Sequence, residues 1–161
     1  AELLLRLLGR EKGGGGTIEA GLEVMRGFLS QADVQSDEYV FFDGSGMSRQ
    51  NLATPHAIVK LLSYAASQPW TTTYQQTLPT AGLDGTLSVR FRNSLANGRV
   101  VGKTGILGHV NTLSGYATTL KSERVVFSIM ANNHNLNSRR AMEAIDAIVE
   151  AIVDDRGEKK K

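Results

Sequence analysis

The sequence predicts an α/β fold, an antiparallel sheet flanked by helices, on three observations. Three runs rich in apolar and β-branched residues follow one another over about 99–107, 110–119 and 124–132. The Lys121-Ser122-Glu123 link is short enough to make the last two an antiparallel hairpin. An amphipathic helix then covers about 139–153, with Met142, Ile145, Ile148, Val149 and Ile152 at helical spacing.

Upstream, residues 1–8 are helical material that begins without an N-cap, and Gly9 fits a helix C-terminus. Lys12 and the four glycines of 13–16 form a flexible loop. Thr17 caps a helix to about Gln31, with Leu22, Met25 and Leu29 on one face and Ile18 at its shoulder. Tyr39-Val40-Phe41-Phe42 reads as a short strand that runs into the polar loop 43–51. Thr54-Pro55 opens a further helix, buried through Ile58, Leu61, Leu62 and Ala65 and ended by Gln68-Pro69. Residues 70–85 read as a loop anchored by Tyr74, Leu78 and Leu83. Over 87–95, Leu87, Phe91 and Leu95 fit a short helix better than a strand, and Asn97-Gly98 is a turn.

At 161 residues the chain can bury a real core, and 41% hydrophobic with 21% charged residues fits a globular protein. Eighteen basic against 16 acidic residues leave a net charge of +2, which gives no support to nucleic-acid binding. The absence of cysteine excludes disulfides and thiolate metal sites, and His56, His109 and His134 lack metal-ligand spacing. No cofactor or metal is expected. No apolar run approaches the length of a membrane span, and no signal peptide is evident. Residues 154–161 form a charged tail expected to be disordered.

The chemistry centres on Val100-Val101-Gly102-Lys103-Thr104-Gly105-Ile106-Leu107. A strand that places a cation, a hydroxyl and a glycine side by side can offer Lys103 and Thr104 to an anion. Gly105 leaves room for another backbone along the edge. Gly98 to Thr104 nearly matches a phosphate-binding loop, but the first glycine stands one residue too close to Gly-Lys-Thr. The stretch after Thr104, with Gly105 and Gly108 among β-branched residues, is poor material for the helix such a loop needs.

Three segments in order resemble the C-terminal part of the D-alanyl-D-alanine carboxypeptidase/endopeptidase family of low-molecular-mass penicillin-binding proteins, peptidase family S13. Ala1-Glu2-Leu3-Leu4-Leu5-Arg6 is similar to the helix after the family's Ser-x-Asn motif. Asp43-Gly44-Ser45-Gly46-Met47-Ser48-Arg49-Gln50-Asn51 resembles its Asp-Gly-Ser-Gly-Leu-Ser-Arg-x-Asn signature. Gly102-Lys103-Thr104-Gly105 with Leu113-Ser114-Gly115-Tyr116 resembles its third motif and the next strand. The resemblance implies that 1–153 is the C-terminal portion of a β-lactamase/transpeptidase-like domain.

It further implies a serine-type acyl-enzyme hydrolase acting on D-Ala-D-Ala stem peptides of peptidoglycan, sensitive to β-lactams and working outside the cytoplasm. Lys103, Thr104 and Gly105 would form the carboxylate and charge environment of the reaction. Met47, Arg49 and Ile106 would meet substrate, and Asp43 and Ser45 would hold the loop's shape. Ile106 stands where many members carry Thr, Ser or an aromatic, which removes a possible second hydroxyl.

Neither Ser-x-x-Lys nor Ser-x-Asn occurs in the sequence, so the nucleophile and its base are expected in an upstream part, and the chain alone is expected to be inactive. Without that part, an open strand edge would invite self-association. The rival reading is a non-catalytic module that binds D-Ala peptides or proteins through the same edge.

Overall fold

The computed structural model describes residues 1–155 and divides the chain into two compact units, Ala1–Tyr64 and Ala65–Lys161. Residues 156–161, most of the expected tail, lie outside the described residues.

In the first unit, helices α1 (Glu2–Lys12) and α2 (Ile18–Gln31) cross closely. The Thr17 hydroxyl accepts from the Ala20 N–H at 3.1 Å, satisfying one of the free donors at the start of α2. The expected end at Gly9 is wrong: α1 continues to Lys12 with its cap at Gly13. Gly9 lies inside the helix because α2 leaves no room for more; a Cβ there would stand 2.7 Å from the Gly21 nitrogen. Gly21 is the reciprocal position, where a Cβ would collide with the Leu5 carbonyl oxygen. Two short strands, β1 (Tyr39–Val40) and β2 (Leu52–Ala53), pair antiparallel and close the loop between them. Helix α3 (Pro55–Ala66) follows, its first turn tied by the Ala57 N–H to the Thr54 hydroxyl at 3.0 Å. Leu29, Ala32, Val34 and Ala57, with Met25, Tyr39, Phe41 and Leu61 around them, form this unit's core.

The loop 43–51 is built around one carboxylate and one amide. Asp43 Oδ1 accepts from the Ser45 N–H at 3.0 Å, the Ser45 hydroxyl at 2.8 Å and the Asn51 amide at 2.9 Å. Asn51 Oδ1 in turn accepts from the Phe42 N–H at 2.8 Å, and Ser45 Oγ accepts from the Met47 N–H at 3.0 Å. These bonds, that to Asn51 foremost, hold the Asp43 carboxyl below the usual carboxylate range. The loop is also tied to α1, where Glu2 accepts from the Gly44 N–H at 2.9 Å.

In the second unit, β3 (Val100–Leu107), β4 (Val110–Thr118) and β5 (Arg124–Asn132) form an antiparallel sheet in that spatial order, close to the expected boundaries. Helix α5 (Ser138–Asp154) packs on one face. Val100, Leu113, Ala117 and Phe127 from the sheet meet Ile145, Val149 and Val153 from the helix in a core with Ala81, Leu87 and Phe91. The helix buries a stripe spaced four apart, Ala141, Ile145, Val149 and Val153; Ile148 lies off that stripe, 49% exposed, against expectation.

Two other expectations fail here. Residues 70–85 contain a helix, α4 (Thr71–Gln76), which threonine's weak helix propensity conceals. Trp70 and Tyr74 pack edge-to-face one turn apart along it, with ring centroids 5.9 Å apart. Residues 87–95 form no α-helix but a 3₁₀ turn at Gly85–Leu87 followed by further turns, with Phe91 at φ 65°, outside helical space. Leu87 and Phe91 are buried, whereas Leu95 and Leu83 are exposed, so the anchor of this segment is Leu87 rather than Leu83. Arg90 pairs with Asp146 of α5, its Nε lying 3.0 Å from Oδ1, and fixes the turns to the helix.

Two measurements check these accounts. Gly21→Ala should cost the first unit about 2 kcal/mol or more by overpacking, read as a lowered melting temperature. Gly27→Ala, in the same helix with nothing within 4 Å of its Cβ, should instead stabilise by about 0.5–1 kcal/mol. In Asn51→Ala the Asp43 carboxyl should titrate at higher pH than in the parent protein, as followed by NMR. Because the folded value is depressed, Asp43's contribution to stability is present above its unfolded pKa and lost as pH falls through the folded one.

Candidate active site

Strand β3 is the outer strand of its sheet, paired with β4 on one side. Its first residues are also held on the outer side: Ala81 donates to the Val100 carbonyl at 2.9 Å, and the Gly102 N–H donates to the Pro79 carbonyl at 3.0 Å. Thr80 bridges Val101 there. From residue 103 onward, no described strand covers that side. In an antiparallel ladder the peptide groups alternate, so with Val100 and Gly102 facing outward, Thr104 and Ile106 also direct N–H and C=O away from β4.

The residues singled out in the sequence fall on this open stretch. Lys103 is exposed, and its ammonium donates to the outward Thr104 carbonyl at 2.8 Å. The Thr104 hydroxyl donates to the Thr86 hydroxyl at 3.0 Å. Gly105 stands opposite Thr112 of β4, and a Cβ would lie 2.5 Å from the Thr112 hydroxyl oxygen. A side chain at this position would require the Thr112 hydroxyl to turn away. Ile106 is 56% exposed and presents hydrocarbon at the end of the motif.

Two arrangements beside the motif, the hydroxyl row under Lys103 and the contact with Thr86, were not foreseen from sequence. Lys103, Ser114 and Ser128 share one register position across the three strands, and the two serine hydroxyls are 2.8 Å apart. That row follows from hairpin register, which the short links between strands could have supplied. Thr86, in the turn after Asp84-Gly85, carries no local signal that links it to Thr104, 18 positions on. Next along the row, Tyr116 pairs with Val101 and Val126. Burial pushes its phenol up to about 12, with Tyr74 adding to the rise, so it stays protonated at neutral pH.

Asp43, Ser45, Met47 and Arg49 lie in the first unit's hydrogen-bonded loop. Asp43 is half-buried, while Met47 is 70% exposed. The histidines, distant in sequence, are not all distant in space. His109 and His134 lie with ring centroids 6.3 Å apart, and His134 Nε2 is 2.9 Å from Oδ1 of the buried Asn111. Among the described residues no group of three His, Cys, Asp or Glu side chains is placed to hold a metal ion.

The sequence profile of the D-Ala-D-Ala carboxypeptidase 3 (S13) family matches residues 1–152. The chain is 41% identical over 140 residues to a D-alanyl-D-alanine carboxypeptidase of Actinomadura sp. (strain R39), covering 84% of this chain and 26% of that protein. It is 30% identical to the D-alanyl-D-alanine carboxypeptidase DacB of Haemophilus influenzae, over 74% of this chain and 25% of that one. The chain thus spans about a quarter of the length of these relatives. The crystal structure of penicillin binding protein 4 (dacB) from H. influenzae superposes with a TM-score of 0.84 at 26% identity, over 95% of this chain and 36% of that one. At 18% identity and a TM-score of 0.68, the Bd3459 predatory endopeptidase of Bdellovibrio bacteriovorus shares the fold. This is part of the α/β fold of the penicillin-binding, transpeptidase-like proteins, with the Lys103-Thr104-Gly105 strand at its edge. The chain belongs to the D-Ala-D-Ala carboxypeptidase 3 (S13) family.

Proposed function

We propose that the chain is a segment of a serine-type D-Ala-D-Ala carboxypeptidase/endopeptidase that cleaves peptidoglycan stem peptides outside the cytoplasm through an acyl-enzyme. The observation that carries this reading is the open edge of β3, where outward peptide groups of Thr104 and Ile106 flank a glycine and adjoin a lysine and a threonine hydroxyl. An extended peptide can add to such an edge as a further strand, its main chain paired with β3. Its terminal carboxylate then meets the Thr104 hydroxyl and the Lys103 charge. Lys103 now occupies the Thr104 carbonyl, a contact the ammonium can exchange for a substrate anion. Its charge would also favour the deprotonated state of a neighbouring catalytic group.

Met47 and Arg49 would recognise the stem-peptide side chain, and Ile106 would supply an apolar wall. Asp43 and Ser45 would act indirectly, through the hydrogen bonds that shape their loop. The sequence contains no Ser-x-x-Lys and no Ser-x-Asn, so nucleophile, base and second motif would come from residues outside it. Alone, the chain would bind but not acylate. Its uncovered edge would also favour pairing with a second copy. Relatives and structural neighbours support this reading; one neighbour is penicillin binding protein 4 (dacB) complexed with a β-lactam.

The test is intact mass after incubation with a reactive β-lactam. The chain alone should gain no mass. A separately made upstream half should gain one adduct only when mixed and assembled with this chain, and Lys103→Ala should slow that acylation on the order of 100-fold. An adduct on this chain alone would place a nucleophile within it and overturn the assignment. No adduct from a verified assembly would favour a non-catalytic binding module.

A further inference from the structure

We propose that Thr86 is a substrate-binding residue whose hydroxyl, with Thr104 and Lys103, completes the site for the terminal carboxylate of the peptide. This rests on the acyl-transfer reading above and extends it to a residue outside the Lys-Thr-Gly strand.

The two hydroxyl oxygens are 3.0 Å apart, with Thr104 donating to Thr86. Each hydroxyl carries one hydrogen, so the Thr86 hydrogen has no acceptor among the described residues. Two adjacent hydroxyls with an uncommitted hydrogen match the two oxygens of a carboxylate, and Lys103, whose side chain starts on the other face of β3, reaches the same edge at the Thr104 carbonyl. On binding, Thr104 turns its hydrogen from Thr86 to one oxygen while Thr86 donates to the other. Ile106, at the far end of the motif, offers only hydrocarbon, whereas Thr86 adds a second hydroxyl directly beside that of Thr104.

The placement of Thr86 is built rather than incidental. The next residue, Leu87, has no solvent exposure and anchors the turn in the core. Asp84 Oδ1 accepts from the Thr80 N–H at 2.7 Å, and Thr80 bridges Val101 of β3. The turn and the strand are thus stapled together a few residues from the hydroxyl pair. Thr86 itself is exposed, and a hydrogen bond between exposed hydroxyls contributes little to folding, so the pair is free to serve a ligand.

The experiment measures kcat/KM of the full-length enzyme carrying this chain on an N-acylated D-alanyl-D-alanine peptide and on its C-terminal amide. Thr86→Val keeps the shape and removes the hydroxyl, Thr86→Ser retains it, and Thr86→Ala replaces Val should the extra methyl unsettle the turn. Thr86→Val should lower kcat/KM on the free carboxylate about tenfold, the loss of one hydrogen bond to a charged group, and change the amide less than about twofold. Thr86→Ser should restore the parent value. Equal losses on both peptides, or no rescue by Ser, would mean a structural role and overturn the proposal. If Thr104→Val lowers the free-carboxylate rate and Thr86→Val does not, Thr86 is excluded and the acyl-transfer reading stands. If the parent enzyme does not distinguish the carboxylate from the amide, the carboxylate site fails and Thr86 with it.

Discussion

With Lys103 opposite Ser114 and Gly102 opposite Gly115, antiparallel pairing turns every second peptide group of β3 away from the sheet. That alternation is what the candidate site depends on. A slip of one residue would turn Thr104 and Ile106 toward β4 and move Lys103 to the face that α5 covers. The register is therefore specified by burial: Val100, Leu113 and Phe127 must face Ile145, Val149 and Val153. A helix far along the chain thus decides which atoms of the Lys-Thr-Gly strand are offered outward.

The sheet has two chemically distinct faces, and the difference follows from the same alternation. One is continuous with the apolar core beneath α5. The other carries Lys103, Ser114 and Ser128 in a row, with the two serine hydroxyls satisfying each other. Half-buried hydroxyls paired in this way avoid the cost of unsatisfied polar groups while keeping the surface polar beneath the lysine. Further along, Tyr116 places a protonated phenol on the same face and contributes no base.

The first unit solves a different problem, that of holding an exposed polar loop in one shape by hydrogen bonds. Asp43 and Asn51 do so by exchanging side-chain and main-chain hydrogen bonds across the loop, while β1 and β2 pair at its base. Gly44 is tethered to α1 through Glu2, and α1 is set against α2 by the absence of side chains at Gly9 and Gly21. The chain of dependence runs from two glycines to a helix crossing to a loop conformation.

Much of this was legible in sequence. The three strands, the Thr17 cap, the Thr54-Pro55 helix start and the terminal helix rest on periodicity and capping, which act within a few residues. The family signature at 43–51 and the Lys-Thr-Gly motif are likewise contiguous. The failures came where packing between distant segments overrode local preference. Gly9 continues a helix instead of ending it because another helix needs its space, and Thr71–Gln76 is helical despite its threonines, with Trp70 and Tyr74 packed along it. The turns after Leu87 follow the Arg90–Asp146 pair and the burial of Phe91. The sequence by itself determined the elements and the residue types the edge strand would carry. Only the tertiary structure decided that Thr86 stands beside Thr104, because no local rule relates residues that meet solely when a turn is stapled to a sheet.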